Sequence, residues 1–141
     1  MDTAEFQTFL DAISDCFINR DFAPWEARIL LPFTMTTRLG PVLLRDTKAL
    51  RTNFDHYVKA CEIMHLDTIY RRPISLEDAR DGTMIGTYET ELLSHGQRAT
   101  PPYVASMLLN DTAEGWKMSS ILNARGHADW TGLDPMTETD K

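Results

Sequence analysis

Cysteine is scarce in this sequence, which contains only Cys16 and Cys61 among its 141 residues. Each falls on the apolar side of a predicted helix, where a free cysteine behaves as a small hydrophobic residue. Neither belongs to a Cys-x-x-Cys or Cys/His motif, and the loop residues His95 and His127 have no third ligand at metal spacing. We therefore expect two buried thiols, no disulfide framework and no metal site.

Positive charge is also in short supply, because 14 Lys and Arg face 21 Asp and Glu for a net charge of −7. Nucleic acids and anionic membranes both attract clustered cations, so neither is an expected partner. No apolar run approaches the roughly 20 residues that span a bilayer. The segment Met1–Glu5 lacks the basic region and apolar core of a signal peptide, so we expect a cytoplasmic protein.

Two common catalytic and nucleotide-binding signatures are missing as well. The sequence contains no glycine-rich phosphate loop and no Gly-x-Ser-x-Gly nucleophile motif. We expect no bound cofactor.

Apolar residues at helical spacing predict helices in the first half of the chain. Asp2 and Glu5 have the spacing of a capping box and begin the first helix. A short second helix is predicted to end at Pro32, because proline cannot continue a helix. Asp46 or Thr47 can cap a longer third helix.

Alternating apolar and polar residues in the second half predict about four long antiparallel strands. Two of them form a hairpin, with strands at 103–109 and 116–122 and a turn at 110–115. Helices followed by a run of strands are typical of an α+β domain. We predict one such domain over residues 1–126, with a cone-shaped curved antiparallel sheet wrapped around a long helix, and an acidic C-terminal tail at 127–141.

Strand alternation also predicts which side chains face the interior. Tyr70, with Arg72 on the same face, and Tyr88 are predicted to point inward, where phenols and a cation suit an anionic or carbonyl ligand. Glu89 and Glu91 have the opposite parity to Tyr88, so we expect these paired carboxylates to point outward.

The outer face of the sheet is predicted to be semi-polar. Ile69, Ile85 and Leu93 fall there among threonine and glutamate residues. Such a mixed face is typical of a subunit interface, so we expect a homodimer.

The chain resembles the NTF2-like superfamily, and most of all its SnoaL-like branch. After the N-terminal amphipathic helix come the segments Asp21–Trp25 and Leu31–Phe33, which lead into the first strand. The start of the long helix at Asp46–Leu50 and the late turn and strand at Glu114–Met118 also match. The matching features run from Phe6 to Leu122.

This resemblance implies a cone-shaped α+β barrel, commonly dimeric through its outer sheet face, with a pocket between sheet and helices. Members include ketosteroid isomerases, polyketide cyclases, dehydratases and epoxide hydrolases, and others bind ligands or proteins without catalysis. The catalytic members generally place a carboxylate or a His–Asp pair on pocket-facing strand positions. The two late strands of this chain offer only Lys117, so the resemblance does not extend to that catalytic pattern.

The leading hypothesis is therefore a domain that binds a small apolar organic ligand in the cone. Its predicted lining residues are Trp25, His56, Tyr70, Tyr88 and Met107. One alternative is an isomerase, dehydratase or cyclase with His56 as base and Tyr88 as hydrogen-bond donor. Another is a dimeric interaction module with a filled pocket, which a cavity below about 300 Å³ would favour.

Overall fold

The computed structural model describes residues 1–126 and 129–130. The helices within residues 1–126 are α1 (Thr3–Ile18), α2 (Phe22–Glu26) and α3 (Thr47–Ile63). The strands are β1 (Ile29–Thr37), β2 (Gly40–Leu44), β3 (Thr68–Asp78), β4 (Thr83–Ser94), β5 (Gln97–Arg98), β6 (Tyr103–Thr112) and β7 (Gly115–Leu122).

Side-chain caps set the starts of the two long helices. At α1 the backbone N–H of Glu5 donates to the Asp2 carboxylate at 2.8 Å, and the N–H of Asp2 donates to the Glu5 carboxylate at 3.2 Å. At α3 the N–H of Ala49 donates to the Asp46 carboxylate at 2.8 Å. The predicted capping box is confirmed, and Asp46 rather than Thr47 caps α3.

The second helix is shorter than predicted. It ends at Glu26, and β1 already begins at Ile29. Pro32 therefore lies inside a strand, after a cis peptide bond with Leu31. The pairing of β1 with β7 shifts register between Ile29 and Thr34, and such an irregular stretch accommodates a proline that cannot donate a ladder hydrogen bond.

One curved, unclosed sheet carries the fold, which confirms the predicted α+β class. Its strand order is β2-β1-β7-β6-β4-β3, with β5 paired to β4. The β1–β7 pair is parallel, and the other neighbouring strands are antiparallel. The parallel pair joins the first hairpin to the last one, so that both halves of the chain share one interior.

Strand β3 has the opposite phase to the predicted one. Ile69 and Arg71 are buried, whereas Tyr70 is 44% exposed and Arg72 is also exposed. The prediction that Tyr70 and Arg72 point inward is therefore wrong, and so is the outward placement of Ile69. The cause is a register shift between β3 and β4 at Pro73–Ser75, because a bulge exchanges the two faces of a strand.

Strand β4 follows its predicted phase throughout. Its buried positions are Met84, Gly86, Tyr88, Thr90 and Leu92. Glu89 and Glu91 are only partly buried and pair with Arg72 and Arg98 respectively on the other face. Tyr88 is thus an interior residue, as predicted.

Both cysteines are free and buried, as predicted. Burial raises the pKa of the Cys61 thiol to about 11. It also raises the pKa of Cys16, whose Sγ donates to the Ala12 carbonyl at 3.2 Å. Both thiols are therefore poor nucleophiles at neutral pH, because the reactive form is the thiolate.

Candidate ligand-binding site

A small, partly open space of about 40 Å³, here called the inner cavity, lies between the helices, the sheet and the segment after β7. It is lined by α1, α2 and α3 on one side and by β1, β3, β4, β6 and β7 on the other. The lining residues that carry chemistry are Trp25, Asn53, Arg71, Tyr88, Tyr103 and Arg125. The rest of the interior is filled by large apolar side chains such as Phe6, Phe54 and Met107.

Arg71 brings a positive charge into this interior. Two residues of α1 bond to Arg71: one guanidinium nitrogen of Arg71 donates to Ser14 Oγ at 2.7 Å, and Gln7 Nε2 donates to the backbone carbonyl of Arg71 at 2.9 Å. The residue is only 7% exposed. Among residues 1–126 and 129–130, no carboxylate oxygen lies within ion-pair distance of Arg71.

Trp25 brings an unsatisfied hydrogen-bond donor to the same interior. Its ring packs edge-on against Phe17, with centroids 4.9 Å apart. Its indole nitrogen is buried and finds no hydrogen-bond acceptor within the described part of the chain. A buried polar group in this state costs stability, because it has lost water without gaining a partner.

Two tyrosines on the sheet face the same cavity. Burial raises the pKa of Tyr88, and the nearby charge of Arg71 offsets only part of that effect. Burial likewise raises the pKa of Tyr103. Both phenols therefore stay protonated at neutral pH and remain able to donate a hydrogen bond.

A larger, open depression adjoins the inner cavity and is here called the outer groove. It runs between α3 and the β1–β2 hairpin and has a volume of about 620 Å³. Its walls include Val42, Leu44, Lys48 and His56. Met35, Asn53 and Tyr57 line both the outer groove and the inner cavity, so the two spaces meet at these three side chains.

The segment after β7 covers one side of the inner cavity. Trp130 is buried, packs edge-on against Tyr57 with centroids 4.9 Å apart, and donates from Nε1 to the Tyr103 hydroxyl at 3.2 Å. Asp129 pairs with Arg38 at 2.8 Å, and the guanidinium of Arg125 stacks 5.0 Å from the Tyr103 ring centroid. Asp129 and Trp130 thus pack on the domain, although they fall within the predicted tail at 127–141; the other residues of that segment lie outside the described ones.

The predicted site residues separate into four environments. Trp25 and Tyr88 line the inner cavity, and half-buried His56 lines the outer groove. Met107 is buried in the filled core and lines neither space, and Tyr70 lies on the outer face of the sheet. The structure therefore does not bring His56 and Tyr88 into one pocket.

Arg71, Tyr103 and Trp130 are among the inner-cavity residues that the sequence-based prediction did not include. Arg71 was assigned to the wrong face of β3, as described above. Tyr103 opens β6 in phase with buried Ala105 and Met107, and this parity could have identified it. Trp130 is a large aromatic in an otherwise polar segment, which is the kind of residue that seldom stays in solvent.

The lining of the inner cavity favours binding over acid–base chemistry. Two arginines line it, and among residues 1–126 and 129–130 no aspartate, glutamate or histidine does. Proton abstraction needs a base within hydrogen-bond reach of the substrate. The described residues also contain no cluster of three or more His, Cys, Asp or Glu side chains placed to hold a metal ion. No helix among them is long and apolar enough to cross a membrane.

Comparison with solved structures identifies the fold as NTF2-like. An NTF2-like protein of unknown function from Shewanella oneidensis superposes with a TM-score of 0.61 at 9% identity, covering 86% of this chain and 98% of that one. A domain of unknown function with a cystatin-like fold from Nostoc punctiforme gives 0.65 at 13% identity, over 99% and 91% of the two chains. Aln2 from Streptomyces gives 0.64 at 17% identity, over 84% and 86%.

These likenesses establish the fold and not a shared activity, because the identities are low. No protein-family model matches the sequence. No curated protein matches it either.

Proposed function

We propose that this NTF2-like domain binds a small, largely apolar organic ligand in the outer groove, with one end of the ligand in the inner cavity, and that it does not convert the ligand. The observation that carries this proposal is the adjacency of the two spaces. The outer groove, at about 620 Å³, has the size of a small-molecule site, for which about 300–1,000 Å³ is usual. Met35, Asn53 and Tyr57 line both spaces, so a ligand in the groove lies next to the inner cavity.

The small volume of the inner cavity limits which part of a ligand it can hold. At about 40 Å³ it cannot enclose a whole organic molecule, and it lies far below the roughly 300 Å³ expected of an enclosed ligand pocket. A water molecule takes about 30 Å³ in the liquid, so a single functional group fits. The body of the ligand must therefore occupy the outer groove, where Val42 and Leu44 offer apolar contacts and His56 a polar one.

The enzymatic alternative has less support. His56 and Tyr88 line different spaces, which does not favour a base and a donor acting on the same substrate atom. The described residues that line the inner cavity offer hydrogen-bond donors, and no Asp, Glu or His is among them. Donors of this kind orient a ligand, but they do not remove a proton from it.

The homodimer is the second part of the proposal, and it has its own observation. Large apolar side chains are exposed on the outer face of four neighbouring strands, namely Tyr70, Ile74, Ile85, Val104 and Leu122. Their interleaving with Arg72 and Glu89 gives the mixed character of a subunit interface. The same face and the filled interior would also serve an interaction module, which is the reason for testing ligand binding and dimer formation separately.

Two adjacent residues of β2 provide the test of ligand binding. Val42 lines the outer groove, whereas its neighbour Leu43 does not, and both are partly exposed. In Val42→Trp the larger side chain fills the groove, and we expect binding of naphthyl and phenyl probes, measured by calorimetry, to weaken at least about 10-fold, which is a loss of about 1.4 kcal/mol. Leu43→Trp should bind as the wild type does.

Equal binding by the two variants, or no binding of any probe to the wild type, would contradict the proposal. A native mass spectrum of the purified protein reports the oligomeric state in the same experiment. A monomer would remove the dimer from the proposal without affecting the groove.

A further inference from the structure

We infer that the ligand is a carboxylic acid, whose carboxylate enters the inner cavity and is held by Arg71 and the indole N–H of Trp25. This inference rests on the proposed function, because it assigns a chemical class to the ligand of the same site. Three properties of the inner cavity support it, namely its charge, its hydrogen-bonding groups and its size.

The charge of Arg71 has no counter-charge among the described residues. Arg71 is almost completely buried, and within residues 1–126 and 129–130 it has a hydroxyl partner, Ser14 Oγ at 2.7 Å, but no carboxylate. Buried cations in proteins are nearly always paired, because removing a charge from water is costly. The neighbouring Arg72 shows the ordinary arrangement, exposed and paired with Glu89 at 3.3 Å. A ligand anion beside Arg71 would supply the missing counter-charge.

The inner cavity also has more hydrogen-bond donors than its own residues satisfy. A guanidinium carries five N–H donors and accepts nothing. The buried Trp25 Nε1 has no acceptor in the described residues, and it lines the same cavity as Arg71. A group that satisfies both must be rich in acceptors and poor in donors. A carboxylate accepts at two oxygens and fits this description, whereas an amine or an alcohol donates as well.

The size of the inner cavity and the shape of the guanidinium both suit a carboxylate. About 40 Å³ admits a group of a few atoms. The planar fork of arginine matches a planar carboxylate through two parallel hydrogen bonds. The single negative charge of a carboxylate also balances the single buried guanidinium. Arg125 reinforces the positive field at the cavity, since its own hydrogen bond goes to the Asn123 side chain at 2.9 Å and not to an acid.

The test compares two probes that differ in charge and hardly at all in shape, 1-naphthylacetate and 1-naphthylacetamide. Calorimetric titration of the intact chain measures both affinities in the wild type, in Arg71→Met and in the control Arg72→Met. Charge-assisted hydrogen bonds predict that the wild type binds the acid about 10- to 100-fold more tightly than the amide. Arg71→Met should bind both probes equally, and Arg72→Met should keep the wild-type preference.

Two further variants protect the test against a folding defect. Arg71→Lys keeps the charge but loses the fork, and we expect it to retain part of the preference for the acid. Trp25→Phe removes the indole N–H together with part of the ring, a loss of volume that acts on both probes, so we expect it to lower the affinity for the acid more than that for the amide. Circular dichroism of each variant confirms that the fold is retained before the affinities are compared.

The possible failures are distinguishable. If both probes bind equally to the wild type and Val42→Trp abolishes their binding, the groove binds ligands and the carboxylate inference is wrong. The inference is also wrong if Arg71→Met folds and keeps the preference for the acid. If neither probe binds, or if binding ignores Val42→Trp, the proposed function fails and the carboxylate inference fails with it.

Discussion

Replacing Arg71 by methionine should leave the ligand-free protein at least as stable as the wild type, although the residue is buried. The guanidinium donates to Ser14 Oγ at 2.7 Å, and a hydrogen bond to a charged group contributes about 1.5–3 kcal/mol. The burial of the Arg71 charge opposes this stabilisation. The charge has no carboxylate partner in the described residues, and its burial costs several kcal/mol even after relaxation. Methionine keeps much of the apolar stem, so we expect a change in the free energy of unfolding between zero and a gain of about 3 kcal/mol.

Urea denaturation at pH 7 measures this change through the midpoint and the slope of the transition. In a thermal scan, each kcal/mol corresponds to a shift in Tm of about 2–4 °C for a domain near this size. Arg72→Met is the control, because its ion pair with Glu89 is exposed and should be worth less than about 1 kcal/mol. A loss of more than about 2 kcal/mol in Arg71→Met, with an unchanged slope, would refute the reasoning: the guanidinium would then be satisfied in the ligand-free protein and would have no need of a ligand anion.

Two further predictions concern the packing and the titration of the interior. In Gly86→Ala the added Cβ would overlap the ring of fully buried Phe6, so we expect a loss of about 1–3 kcal/mol in urea denaturation. Gly126→Ala, where the nearest atom lies at 3.7 Å, should be neutral. Burial raises three tyrosine pKa values above the ordinary value near 10, those of Tyr57, Tyr88 and Tyr103. Above about pH 10 the unfolded chain therefore loses protons that the folded chain keeps, so stability should be complete below that pH and fall as the pH rises further. Ultraviolet absorbance should show the tyrosinate signal of these three residues only as circular dichroism reports unfolding, and their ionisation in the folded protein would contradict this prediction.

The sequence sufficed for the class of fold because its signals there are redundant. The apolar stripes of α1 and α3, the caps at Asp2 and Asp46, and the clean alternation of β4 each point to the same arrangement. An error at one position, such as the end of α2, leaves the others in place. The order of the elements is then enough to identify an NTF2-like fold.

The site was harder to predict because it depends on single residues. The phase of β3 turns on one register shift at Pro73–Ser75, and apolar residues occur on both faces of that strand, as Ile69 and Tyr70 show. Hydrophobic alternation cannot choose between the two phases in such a strand. The contact of Trp130 with Tyr57 joins residues that are about half the chain length apart, and no local pattern encodes it.

One feature of the site follows from the sequence whichever phase β3 adopts. Arg71 and Arg72 are consecutive, and consecutive residues of a strand point to opposite faces, so one arginine must face the interior. The register shift decides only which residues lie beside the interior arginine. It leaves Tyr70 outside, where the ring adds apolar area to the proposed dimer face, and it places Arg71 in the cavity that Tyr88 and Trp25 also line. The interior cation, on which the proposed carboxylate recognition depends, is therefore fixed by two adjacent residues of the sequence, while its hydrogen-bonding partners are fixed by the bulge.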